Sequence, residues 1–157
     1  MPEQPGRRAR CGSCISRGRR ERGYFRMTTR GEMSGPTDVT RVPKPWGHET
    51  IWAKTDRYVG KILHVKAGHA LSVQYHNKKD ETVYLLAGEL IYWVKLPGTE
   101  ELKDMKLRVG DAFRITPGTV HYMEAVTDCD VLEASTPELD DVVRLEDRYG
   151  REGTSKA

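Results

Sequence analysis

The chain has 157 residues and a formal net charge of +3 at pH 7. That is enough for one domain with a real core and too little for two ordinary ones. The positive charge is local: nine of the 26 basic residues and three of the 23 acidic ones fall in residues 1–35, so the remainder carries 17 basic against 20 acidic groups. A nucleic-acid surface is therefore not indicated for the folded part, and no apolar run approaches the length of a membrane span.

Taken in chain order, the arginine-rich head comes first (Arg7, Arg8, Arg10, Arg17, Arg19, Arg20, Arg22, Arg26, Arg30). It lacks apolar periodicity and any repeated basic motif, so it is expected to be disordered. A nucleic-acid arm and a transit-like leader are two readings of it. The preferred one is an extension translated from too early a start, because Met27 and Met33 sit just before the ordered part. Cys11 and Cys14 form a C-x-x-C without a second pair, and Cys129 stands alone, so a four-ligand zinc ribbon is not supported. Three cysteines without a signal-peptide core fit a reducing, cytoplasmic setting.

A linker rich in Pro, Gly, Thr and Asp runs from Gly35 to Pro45, and Trp46 and Trp52 begin an aromatic-rich region. Eight short β-branched or aromatic runs follow: Tyr58 to Val65, Ala70 to His76, Thr82 to Ala87, Leu90 to Leu96, Leu102 to Val109, Ala112 to Thr116, Val120 to Val126 and Val131 to Ser135. Turn signals such as Ala87-Gly88, Gly110-Asp111 and Pro117-Gly118 separate them. Strands at this spacing predict an all-β sandwich or small barrel. The tail from Asp140 to Tyr149 reads as either a short helix or an extended segment.

Two segments carry chemistry. In GHALSVQYHNKKDETVYLLAG, Gln74 and His76 are two apart and share a face of a strand, with Glu81 beyond a turn. In GDAFRITPGTVH, His121 follows the Pro117-Gly118 turn. Two imidazoles, a carboxylate and an amide oxygen converging on one point suit a divalent metal, with zinc expected and manganese, iron or nickel open. A metal held by Gln74, His76, Glu81 and His121 would keep one or two positions free for sugar oxygens. Lys61 faces either this cavity or the sheet surface, and Lys44 is a weaker candidate. His48, His64 and His69 receive no role, and Trp46, Trp52 and Trp93 are expected to be core aromatics.

The two segments resemble the paired cupin motifs. Gly68, His76, Glu81 and Gly88 match the first, with Gln74 where a histidine is usual. Gly110, Gly118 and His121 match the second, with Thr116 at a usual proline and Ala125 at a usual asparagine. The strings KPWGHETIW, VGKILHVKAGHALSVQYHNKKDE and DDVVRLEDRYGR are more particular. They resemble the cupin domain of type II phosphomannose isomerases, which in larger members follows a mannose-1-phosphate guanylyltransferase domain. The resemblance covers Val42 to Arg151. It divides the chain into residues 1–41 (extension and linker), a 42–151 cupin domain with a jelly-roll, double-stranded β-helix fold, and a 152–157 tail.

The implied activity is metal-dependent aldose–ketose isomerisation of a sugar or sugar phosphate, first of all mannose 6-phosphate and fructose 6-phosphate. Lys61, Glu81, Arg144 and Arg151 would be catalytic, and Lys61, Arg144 and Arg151 would hold substrate. On a helix, Arg144 and Arg151 would share a face to receive phosphate. Where the family commonly has a histidine after the metal glutamate, Thr82 stands, which is expected to weaken proton transfer or change the substrate. A metal- or sugar-binding cupin without turnover, acting as sensor or accessory subunit, is the alternative from another class; a cupin dioxygenase is a further one. A homodimer in the cytoplasm is implied, with no membrane partner.

Overall fold

The computed structural model describes residues 35–96, 98–151 and 153–154. The expectations for residues 1–34 and for the tail from 155 lie outside the described residues. Twelve strands occur among the described residues: β1 Thr40–Lys44, β2 Gly47–Lys54, β3 Val59–Val65, β4 Val73–Tyr75, β5 Glu81–Ala87, β6 Leu90–Val94, β7 Lys103–Leu107, β8 Ala112–Ile115, β9 His121–Ala125, β10 Cys129–Ser135, β11 Val143–Glu146 and β12 Gly153–Thr154. They form two six-stranded sheets, ordered β1-β2-β3-β10-β5-β8 and β12-β11-β4-β9-β6-β7. Every pairing is antiparallel. The all-β expectation holds, and the sheets exchange strands along the chain as in a jelly roll.

Period-two alternation explains the packing. Leu63 and Val65 of β3, Val83 and Leu85 of β5, and Val131 of β10 face Leu90, Tyr92 and Val94 of β6 and Met123 of β9, all at most 3% exposed. Each fully buried apolar side chain of this size contributes about 1.5–3 kcal/mol. The same alternation carries Lys61, Glu81 and Glu133 to the inner side, where apolar residues would otherwise be expected.

Three expectations need correction. The linker Gly35–Pro45 contains strand β1, which pairs with β2 from Thr40↔Ile51 to Lys44↔Gly47. Pro43 in that stretch reads as a strand breaker, but β1 is an edge strand, where a missing N–H is tolerated. The run from Ala70 to His76 shortens to the three residues of β4, with Ala70 holding only an isolated bridge to Glu124. Of the two readings of the tail the extended one holds, with β11 between β4 and β12 in the second sheet, and the helix-face expectation for Arg144 and Arg151 falls.

Glycine is required at two of the motif turns. Gly88 has φ 91°, and a Cβ there would fall 2.3 Å from the Asp128 carbonyl oxygen. Gly118 has φ 81° and donates its N–H to the His76 carbonyl at 2.7 Å, tying the second motif to the first.

Candidate metal centre

His76 leaves the end of β4, Glu81 opens β5 and His121 opens β9, so three strand ends from two sheets meet at one mouth of the barrel. Gln74 pairs in register with His121 on one side and with Arg144 on the other. The His76 and His121 side chains are 0% and 2% exposed, and Glu81 is 5% exposed. One ligand atom from each of the three lies within 4.8 Å of the others.

The orientation of each imidazole is set from behind. His76 Nδ1–H donates to the Asp141 carbonyl at 2.5 Å, and His121 Nδ1–H donates to the Thr119 carbonyl at 2.9 Å. Those contacts assign the tautomer and turn both Nε2 lone pairs forward. His76 Nε2 stands 3.5 Å from Glu81 Oε2 and His121 Nε2 3.3 Å from Glu81 Oε1. Both Nε2 atoms are buried without a hydrogen-bond partner among the described residues. Two buried lone pairs and a carboxylate facing one another leave a place that a cation would fill. The donor set fits a divalent ion of the zinc, manganese, iron or nickel kind. Gln74 reaches the same cavity, where its Oε1 accepts the Ser72 hydroxyl at 2.8 Å.

Around this cluster lies a cavity of about 60 Å³ whose lining includes Lys61, Gln74, Lys79, Glu133, Arg144 and Arg151. Lys61, left between cavity and surface by its sequence, is inside, with Nζ 3.3 Å from Glu133 Oε1. Lys79 joins the network, with Nζ 2.7 Å from Glu133 Oε1 and in contact with Glu81. Burial would lower the Lys79 ammonium, but Glu133 and Glu81 outweigh it and hold it above the ordinary lysine range. Burial likewise pushes Glu133 up, and Lys79 and Lys61 reverse this. For Glu81, burial is outweighed by His121, His76 and Lys79, which hold the carboxyl well below its usual range.

Arg144 reaches the cavity from β11 with its Nε buried and unpartnered, and burial followed by the nearby Arg151 lowers its affinity for the proton. Arg151 reaches it after the Asp147–Gly150 turn, gripped by Asp147 through Nε at 2.9 Å and Nη2 at 2.7 Å and lying 5.3 Å over the Tyr149 ring. Two guanidinium groups, one of them with no hydrogen-bonded carboxylate among the described residues, form an anion-attracting wall. Trp46 is buried and, with Lys44, lines the cavity; Lys44 pairs with Glu49 at 3.4 Å.

The sequence reading missed Lys79, Glu133 and Asp141. A signal existed for Glu133: Val131, Glu133 and Ser135 alternate on one face of a strand whose first member is apolar. Thr82 requires a correction. It neighbours Glu81 on β5 and therefore points to the opposite face, between Ala134 and Arg114 on the flanking strands and beside Trp52 and Tyr58. A histidine at that position would not reach His76, Glu81 or His121. His48 and His64 stack on each other with centroids 4.9 Å apart, away from the cavity lining. His69 bonds the Tyr149 hydroxyl at 2.9 Å.

A two-sheet antiparallel barrel with a His–Glu–His cluster inside one mouth defines a cupin, and residues 61–134 match the cupin domain family; the chain contains a cupin domain. Over 119 residues it is 35% identical to mannose-1-phosphate guanylyltransferase from Escherichia coli K12, covering 70% of this chain and 23% of that protein. The chain thus spans about a quarter of the curated relatives it matches. Among solved structures it is similar to the capsular polysaccharide assembling protein CapF from Staphylococcus aureus (TM-score 0.58, 19% identity, 70% of this chain and 35% of that one). It is also similar to KdgF from Halomonas sp. (TM-score 0.53, 25% identity, 67% of this chain and 92% of that one). Among the described residues no helix is long and apolar enough to cross a membrane, which does not bear on β-barrel spans.

Proposed function

We propose that this cupin is a metal-dependent aldose–ketose isomerase of a sugar or sugar phosphate in the cytoplasm, with mannose 6-phosphate and fructose 6-phosphate as the first pair to test. The observation that carries this reading is one cavity lined by Glu81 and His121 of the His76–Glu81–His121 cluster together with the two arginines Arg144 and Arg151. The resemblance to the isomerase cupin and the similarity to mannose-1-phosphate guanylyltransferase support the sugar.

Gln74, His76, Glu81 and His121 would hold the metal, which when bound supplies Lewis acidity toward a carbonyl oxygen. Arg144 and Arg151 fix the far end of the substrate by charge-assisted bonds to phosphate, which sets the reacting carbons against the first sheet. There the Glu133 carboxylate, held by Lys61, takes the proton from C2 of the aldose and returns it to C1, while the hydroxyl proton passes from O2 to O1.

A coupled assay on mannose 6-phosphate tests the reading. Turnover is expected with divalent metal, lost with a chelator and lost in His121→Ala; metal-loaded protein that turns over no hexose or hexose phosphate removes it. One observation favours a second reading, a metal- or sugar-binding cupin without turnover. Both cavity lysines are already engaged by Glu133 and Glu81, so neither amine stands ready as a base. The proposal includes a homodimer, checked by a sedimentation mass of twice the chain.

A further inference from the structure

Asp141 is absent from the cavity lining, yet it contacts the segment from His76 to Lys79 and lies three residues before Arg144 in the chain. Its carboxylate collects four hydrogen bonds from the segment between the two metal-facing residues His76 and Glu81. Oδ1 accepts from Asn77 N–H and from Asn77 Nδ2, each at 3.0 Å. Oδ2 accepts from Lys78 N–H at 2.5 Å and Lys79 N–H at 2.9 Å. Its backbone carbonyl is the acceptor that orients His76. Two residues later β11 begins, and Arg144 on that strand enters the cavity in register with Gln74. The piece of chain that aims His76 is therefore continuous with the piece that carries the unpartnered guanidinium.

We propose that Asp141 is a positioning residue that couples the anion subsite to the metal centre, so that a tetrahedral dianion on Arg144 and Arg151 tightens metal binding, and metal tightens the dianion. The inference rests on the metal and anion assignments of the proposed function and not on turnover. An anion pulls Arg144 toward the cavity and with it the start of β11. Asp141 then seats more firmly, because its five hydrogen bonds all point at residues 76–79. Firmer seating narrows the range of His76 Nε2 directions, and ligand orientation of this kind is worth roughly 10- to 100-fold in metal affinity. Coupling between two bound groups is reciprocal by linkage.

The test uses the full chain, Co²⁺ as the metal and inorganic sulfate as the dianion, followed by the visible absorption of bound Co²⁺. Saturating sulfate is expected to tighten Co²⁺ about tenfold, and saturating Co²⁺ to tighten sulfate by the same factor. Asp141→Asn is expected to weaken Co²⁺ roughly 10- to 100-fold, to change its absorption envelope and to bring the coupling factor to about one. A merely structural residue would lower the melting temperature and leave the coupling factor intact. Arg144→Ala separates the route, since coupling that survives it comes from sulfate on the metal itself and overturns the proposal. If Asp141→Asn does not fold, Asn77→Ala deletes one of the four carboxylate contacts and is expected to lose part of both affinity and coupling. Unchanged Co²⁺ affinity and coupling in the folded variants overturn the proposal. A wild-type chain that binds no Co²⁺ overturns it together with the metal assignment, whereas a chain that binds and couples both but turns over no sugar removes only the isomerase.

Discussion

Arg144 and Thr82 show what a single side chain can be asked to do in this barrel. Arg144 stands at the cavity with a buried, unpartnered Nε, so its hydrogen-bonding capacity is left for a ligand. Losing a charge-assisted bond to phosphate costs about 2 kcal/mol, or roughly thirtyfold in affinity. Arg144→Ala is therefore expected to raise KM for a phosphorylated sugar by about that factor and leave an unphosphorylated one almost unchanged, read from steady-state kinetics on both. Thr82 lies one residue from Glu81 but on the other face of β5. Thr82→His is expected to change neither metal affinity by calorimetry nor kcat beyond about twofold, because a strand cannot turn two neighbouring side chains to one face without a bulge.

At the scale of elements, Asp141 ties the tail to residues 77–79 and Asp147 fastens the tail's own turn to Arg151. Asp141 has its carboxyl pushed up by burial and then pulled far below the ordinary 3.8 by backbone N–H groups of Lys79, Lys78 and Asn77. Arg151 pulls Asp147 down in the same direction. A folded value below the unfolded one means the carboxylate stabilises the native state at neutral pH and loses that contribution as the pH falls below the ordinary range. The melting temperature is therefore expected to drop below about pH 4, and Asp141→Asn should make that drop shallower while lowering the neutral-pH value. A scan of melting temperature from pH 3 to 7 on both proteins checks it, and a parallel pair of curves would contradict it.

At the scale of the molecule, burial and exposure change places residue by residue along β5. Leu85 is 0% exposed in the core and Leu86, its neighbour, is 41% exposed. Leu85→Ala is expected to cost about 2–5 kcal/mol, through lost transfer energy and the cavity left behind. Leu86→Ala should stay within about 0.5 kcal/mol. Urea denaturation with an unchanged slope would measure both.

Much of this protein was determined by the chain read on its own. Alternation and turn signals specified eight of the strands, because the period of two is a local property of an extended backbone whose one face is buried. The spacing of His76, Glu81 and His121 marked three side chains that do meet at one mouth of the barrel for the same reason, since strand ends and Pro-Gly turns place side chains predictably. What lay beyond reach depended on partners distant in sequence. β1 became a strand only by pairing with β2 and has no apolar pattern that requires it, and pairing with β4 decided β11 between a helix and an extended segment. The Lys61–Glu133–Lys79 network joins residues from β3, β10 and the turn before β5, and Asp141 meets Asn77 across 64 residues. Such contacts follow from how the two sheets close on each other, and no local rule of propensity or spacing contains that closure.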